Sequence, residues 1–242
     1  PLGATHIVAA VRTRAFTTVL AAIFAVATTL PLHAQDADRV VASGGIAVEG
    51  WRGVVDPAAA EAGLTINDAR FAAEGTALRV TTGPASTYWR ANERLTGDYT
   101  VRATFTELEY MALNNHPHPY GIVIAGNEMG TGEQSLLYCS AYGNGRFIVR
   151  GFGPEPFQLN GRRPEEHPAV NRARGPGEPV TQEIALSVRG DEVTCEINGT
   201  VVARYDRADL LGEGRLTSTD GVYGLRFGHN TDVRVTGLVV ER

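Results

Sequence analysis

Residues Thr181–Asp206 read TQEIALSVRGDEVTCEINGTVVARYD. Ile184, Leu186 and Val188 alternate with polar neighbours, and so do Val193, Cys195 and Ile197. Each run therefore carries one apolar and one wet face, the period-two signature of a half-buried strand. Arg189-Gly190-Asp191 separates the two runs, and Asn198-Gly199 then turns the chain into Thr200–Tyr205. Asn-Gly suits a type I′ hairpin because both central residues must accept positive φ. The stretch predicts three consecutive antiparallel strands joined by short turns.

The same rhythm extends outward. Tyr99, Val101, Ala103 and Phe105 share one face of an Asp98–Leu108 strand, with Thr100, Arg102, Thr104 and Thr106 on the other. Gly121–Ala125 (GIVIA) is continuously apolar and predicts a central strand buried on both faces. Ser135–Tyr142 and Arg146–Phe152 flank the turn Gly143-Asn144-Gly145, and Tyr223, Leu225 and Phe227 alternate before a closing strand over Asp232–Val240. Arg70–Ala73 and Ala77–Thr82 pair around Glu74-Gly75, and Thr87–Arg90 makes a short strand. About a dozen strands with hardly any helix predict an all-β fold, a jelly-roll β-sandwich of two antiparallel sheets.

That domain is expected over residues 35–242. Residues 1–34 read as a signal peptide with an upstream extension: Arg12 and Arg14 precede the uncharged run Ala15–Leu30, and Leu32-His33-Ala34 offers a cleavage point. The expected address is periplasmic or extracellular, with membrane attachment only if this segment stays uncleaved. The net charge is −5, and every basic side chain is Arg. Without a basic stripe to neutralise phosphates, nucleic acid is not an expected partner. Cys139 and Cys195 sit mid-strand at inward-facing positions; they read as buried thiols, or as a pair if their Cα atoms lie within about 7 Å.

YGLRFGHNTDVRVTGLVVE at the C-terminal end, the Tyr99–Phe105 pattern and the GIVIA strand together resemble the concanavalin A-like lectin/glucanase superfamily. The hairpin EVTCEINGTVVARYD is similar to the strand, Asn-Gly, strand unit of laminin-G-like domains and of the family that includes 3-keto-disaccharide hydrolases. The resemblance covers Ile46–Arg242 and implies either a carbohydrate-binding module or a glycoside hydrolase, since the fold hosts both.

Glucanases of this superfamily carry an E-x-D-x-x-E run whose same-face carboxylates act as acid and nucleophile. It is missing here. Glu107-Leu108-Glu109 comes nearest and reads as a solvated rim. His116-Pro117-His118 puts two imidazoles on one face of an extended segment, a set of sugar-binding donors or half a metal site. A full site would require a further ligand, for which Glu128, Glu133, His167 and His229 are candidates; the alternative is a rigid turn with exposed rings. Tyr138, Tyr142, Arg150, Phe157, Arg162 and Arg163 flank the Pro/Gly-rich segment Gly153–Pro179. Aromatic faces stack on sugars and guanidinium forks bond hydroxyls, so this segment could wall a ligand groove over a sheet. His229-Asn230-Thr231-Asp232 reads as an inter-strand loop with oxygens suited to Ca2+.

The expected function is thus a secreted carbohydrate-binding module. Its ligand residues are His116, His118, Tyr138, Tyr142, Arg150, Phe157, Arg162, Arg163 and His229, with no metal and no cofactor assigned. The alternatives are a glycoside hydrolase similar to 3-keto-disaccharide hydrolases, using a site near His116, His118 and Glu128, and a structural or protein-interaction sandwich.

Overall fold

The computed structural model describes residues 37–242; the signal-like segment lies outside them. In chain order the strands are β1 (Gly45–Ile46), β2 (Trp51–Val55), β3 (Ala69–Glu74), β4 (Ala77–Thr82), β5 (Ser86–Leu95), β6 (Tyr99–Glu107), β7 (Tyr120–Asn127) and β8 (Ser135–Tyr142). There follow β9 (Arg146–Phe152), β10 (Pro156–Gln158), β11 (Glu165–Glu166), β12 (Val180–Arg189), β13 (Glu192–Ile197), β14 (Thr200–Asp206), β15 (Gly221–Phe227) and β16 (Asp232–Glu241). The one α-helix among the described residues, the short α1 (Pro57–Glu61), follows β2 with proline in its first turn, where a missing N–H costs nothing.

Two sheets form the sandwich. The first runs β1-β3-β4-β16-β6-β12-β13-β14 and the second β10-β9-β8-β7-β15-β5-β2, with β11 added along β9. Strand pairing is antiparallel except for the short β1–β3 contact. The β12-β13-β14 meander stands as read: Asn198 (φ 51°) and Gly199 (φ 78°) both take the positive φ their hairpin requires.

Alternation sets the core. Tyr99, Val101, Ala103 and Phe105 of β6 are buried. They meet Tyr88, Tyr120, Ile122, Leu137, Phe147 and Phe227 from the second sheet. Truncating one such ring to alanine costs roughly 3–5 kcal/mol. Cys139 of β8 and Cys195 of β13 are joined by a disulfide that ties one sheet to the other, with Cα atoms 6.2 Å apart.

The two outer faces differ, and that difference locates the site. On the first sheet the outer face is wet: Arg102 bridges Glu183 (2.9 Å) and Glu196 (2.8 Å) across three strands. On the second sheet the outer face is apolar and aromatic, with Val123, Leu136, Tyr138, Tyr142, Ile148 and Phe152 forming a cluster separate from the core. This is why β7 is buried on both faces.

Two expectations are corrected. Glu107 is not a solvated rim residue: it continues the inward series after Phe105 and is 5% exposed. The Gly153–Pro179 segment does not roof a sheet face along its length. Its β10 and β11 add to the free edge of β9. Further on, Val170 plugs the core, and Asn171 exchanges hydrogen bonds with Gln182 (3.0 and 2.8 Å). The Leu159, His167 and Ala173 N–H groups donate to the Val149, Gly145 and Gly143 carbonyls, which holds the segment to that edge.

Candidate functional site

Register aligns one row of side chains across the outer face of the second sheet: Arg150, Tyr138, Val123, Gly224, Trp89 and Arg52. The next row places Arg226 between Gly121 and Thr87. Arg226 is buried here and fully engaged. Its Nη1 and Nη2 donate to the two Asp56 oxygens at 2.8 and 2.6 Å, and Nη1 also donates to Thr87 Oγ1 at 2.8 Å. The guanidinium carbon lies 4.8 Å from the Tyr138 ring centre and 5.4 Å from that of Phe152. Burial works against the charge, but the Asp56 carboxylate outweighs it and holds the Arg226 pKa above its ordinary value.

Local backbone irregularity shapes the edge of this face. A bulge in β7 between Ile124 and Asn127, with Ala125 at φ 56° and Glu128 at φ 48°, redirects the chain into the Glu128–Gln134 loop. Asn127 fixes the bulge by donating to the Ala125 and Asp220 carbonyls (3.0 and 2.9 Å). The loop crosses Trp89 at Gly130, where an added Cβ would sit 3.4 Å from the indole. A depression lies to either side of it. The smaller, about 230 Å3, is lined by Arg52, Trp89, Arg94, Asn127 and Glu128 among others. The larger, about 580 Å3, is bounded by Asp56, Glu61, Thr131, Gln134, Phe152 and Glu155 among others.

The residues singled out from sequence fall into separate places. Tyr138, Tyr142 and Arg150 lie on the outer face. Phe157 does not: it pairs opposite inward-facing Gly151 and joins the main core, with Arg215 stacked 5.9 Å from its ring. Arg162 and Arg163 are exposed in the edge segment, and Arg150 Nη2 donates to the Arg162 carbonyl at 2.9 Å.

His116, His118 and His229 come together elsewhere, just beyond the ends of β7 and β15. One ring nitrogen from each lies within 4.8 Å of the others. Glu128 is not in that group; it lines the smaller depression. His118 is buried, and that burial, with His229 and His116 adding to it, pushes its pKa down to about 3. The oxygens considered for Ca2+ serve the protein instead: Asp232 takes a two-point pair from Arg79 (2.5 and 2.7 Å), and Asn230 Oδ1 accepts from the Arg39 N–H (2.6 Å).

Sequence reasoning passed over Trp89, Arg226, Asp56 and Gln134 as site residues. Arg226 had a visible signal, since it is a lone charge on the opposite face of the apolar Tyr223, Leu225, Phe227 series. No comparable signal marked Asp56 as its partner.

No family model matches the chain, and no curated protein sequence does. Solved structures do. A carbohydrate-binding module, CBM66 from Bacillus subtilis, superposes with a TM-score of 0.54 at 9% identity, covering 80% of this chain and 96% of its own. A protein of unknown function with galectin-like fold from Bacillus subtilis gives a TM-score of 0.54 at 13% identity, over 80% of this chain and 90% of its own. The fold is the concanavalin A-like jelly roll. Identities this low speak for the fold alone, and the concanavalin A-like scaffold hosts binding modules and hydrolases alike.

Proposed function

We propose that this concanavalin A-like protein is an extracytoplasmic carbohydrate-binding module that takes a neutral glycan in the groove beside Phe152. The observation that carries the reading is the contrast between the sheets. One presents charged, solvated side chains; the other packs an apolar, aromatic cluster whose Phe152, 7% exposed, reaches a depression of about 580 Å3 with polar side chains in its lining. An aromatic platform with polar groups around it is what a sugar ring requires: its C–H face stacks and its hydroxyls bond the rim. Among the described residues the groove is lined by Asp56, Glu61 and Glu155 and by no cation. Carboxylates accept from hydroxyls and repel uronates, so the ligand class is neutral.

Binding is favoured over hydrolysis because Asp56 is committed. Both its oxygens accept from the Arg226 guanidinium, which holds the carboxylate in a structural ion pair rather than aiming it at a glycosidic bond. The disulfide and the Arg12–Ala34 pattern support an oxidising compartment outside the cytoplasm.

Affinity gel electrophoresis of the full chain against neutral and acidic polysaccharides tests the reading. Retardation by at least one neutral polysaccharide is expected, lost on Phe152→Leu and kept on Arg163→Ala. No retardation by any neutral polysaccharide, or equal retardation of the Phe152 variant, would overturn it.

A further inference from the structure

We propose that His116, His118 and His229 form a binding site for a divalent first-row transition metal, with Zn2+ the foremost candidate. The cluster shares no residue with the lining of the glycan groove. It stands independently of the binding reading.

Geometry comes first. The three ligating nitrogens lie within 4.8 Å of one another. A tetrahedral zinc with bonds of about 2.0–2.1 Å sets its nitrogens about 3.4 Å apart, so the cluster needs to contract by roughly 1.5 Å. His116 is exposed and sits in a loop, so its ring can supply that movement. The rings already approach edge to face: centroids are 3.9 Å apart for His118 and His229, and 4.5 Å for His116 and His118.

The hydrogen bonds set the rings up for coordination. His229 Nδ1 lies 3.1 Å from Asp38 Oδ1, which directs the ring proton to the carboxylate and leaves the Nε2 lone pair as ligand. That is the carboxylate–histidine arrangement that orients metal-bound imidazoles. His116 Nδ1 lies 2.9 Å from Asn115 Oδ1, which likewise favours the proton on Nδ1. His118 Nε2 is buried without a hydrogen-bond partner, and its residue is only 8% exposed. A buried polar atom rarely goes unsatisfied, and a bound ion is one way to meet it.

The support beneath the cluster is fixed. Gly228 lets the loops before β7 and after β15 touch: its N–H donates to the Pro119 carbonyl at 2.6 Å, and an added Cβ would lie 3.0 Å from His118 Cβ. Asn230, at φ 57°, donates to the Ala37 carbonyl and to Asn114 Oδ1, both at 3.0 Å. These bonds draw together the loops that carry Asp38, His116 and His229. Three imidazole nitrogens without a thiolate suit Zn2+, Co2+, Ni2+ or Cu2+ rather than Ca2+ or Mg2+. Three protein ligands leave a fourth position for water or for an oxygen of a bound molecule.

The test uses the full chain without an affinity tag, stripped of metal by chelator and titrated with ZnCl2 in a calorimeter. One equivalent is expected to bind, and Co2+ is expected to give the visible absorption of a four-coordinate site. His116→Ala and His229→Ala should each weaken Zn2+ binding at least tenfold, Asp38→Ala by roughly tenfold, and His167→Ala not at all. His116 is exposed, and near-ultraviolet circular dichroism checks that its variant keeps the fold. Absence of stoichiometric binding to the wild-type chain, or binding unchanged in both the His116 and the His229 variants, would overturn the assignment.

Discussion

The Arg226 guanidinium and the Asp56 carboxylate form a two-point ion pair over the aromatic face of the second sheet, although 170 positions separate them in the chain. Asp56 follows β2 and Arg226 sits in β15, with β5 between the two strands. Asp56 therefore lines one side of the proposed glycan groove while neutralising the buried Arg226 charge.

The two partners should respond unequally to removal. The Arg226 side chain is 11% exposed and that of Asp56 28%. Asp56→Ala strands a cation in an apolar setting and is expected to cost about 3 kcal/mol; Arg226→Met leaves a carboxylate that can reach water and should cost less. Urea unfolding of both variants at neutral pH measures the difference. Equal losses, or the reverse order, would mean that the pair is not held as described.

How far this was legible depends on the length scale of each signal. The β6 and β12–β14 strands announce themselves because alternation is local. Even the burial of Glu107 was written there: Tyr99, Val101, Ala103, Phe105, Glu107 is one uninterrupted inward series, and its charge suggested solvent where its phase did not. The meeting of His229 with His116 and His118 was not legible, because it depends on β15 pairing with β7 in a register that no local pattern states. Asp56 with Arg226 is the same case. Phe157 shows the converse: an aromatic beside a Pro-rich segment suggests a binding wall, but Gly151 opens a slot on the core side that its ring fills.

The disulfide gives a second expectation. It links β8 to β13 across a sequence separation of 56 residues. Constraining an unfolded loop of that length stabilises the fold by roughly 4 kcal/mol in the chain-entropy description. For a domain of this size that corresponds to a fall in Tm on the order of 10 °C after reduction. Calorimetry with and without reductant reads it directly, and an unchanged Tm would show that the cross-link adds nothing to stability.

Gly228 offers a third. An added methyl would come within 2.7 Å of Pro119 Cδ and 3.0 Å of His118 Cβ. Gly228→Ala must push the β7 and β15 approaches apart, and overpacking of this kind costs about 1–3 kcal/mol. Thermal unfolding should show that loss, and Zn2+ affinity should fall with it as His118 moves from His229. A variant as stable as wild type would show that the loops have room to spare.

Glu107 gives a pH dependence. It lies at the end of β6 beneath Tyr110, and an added Cβ at Gly143 would be 2.9 Å from its Oε2, which has no hydrogen-bond partner. Burial raises its pKa from 4.5 to about 8. The folded state therefore holds a proton that the unfolded chain releases between those two values, so the Glu107 contribution to folding stability must decline as pH rises through that window and level off above it. The total is on the order of a few kcal/mol. Glu107→Gln removes the titrating group while keeping its shape, so its stability should be flatter from pH 4.5 to about 8 and exceed the wild type at the alkaline end. Urea midpoints across that range decide it: parallel curves for the two proteins would show that the carboxyl is hydrated in solution.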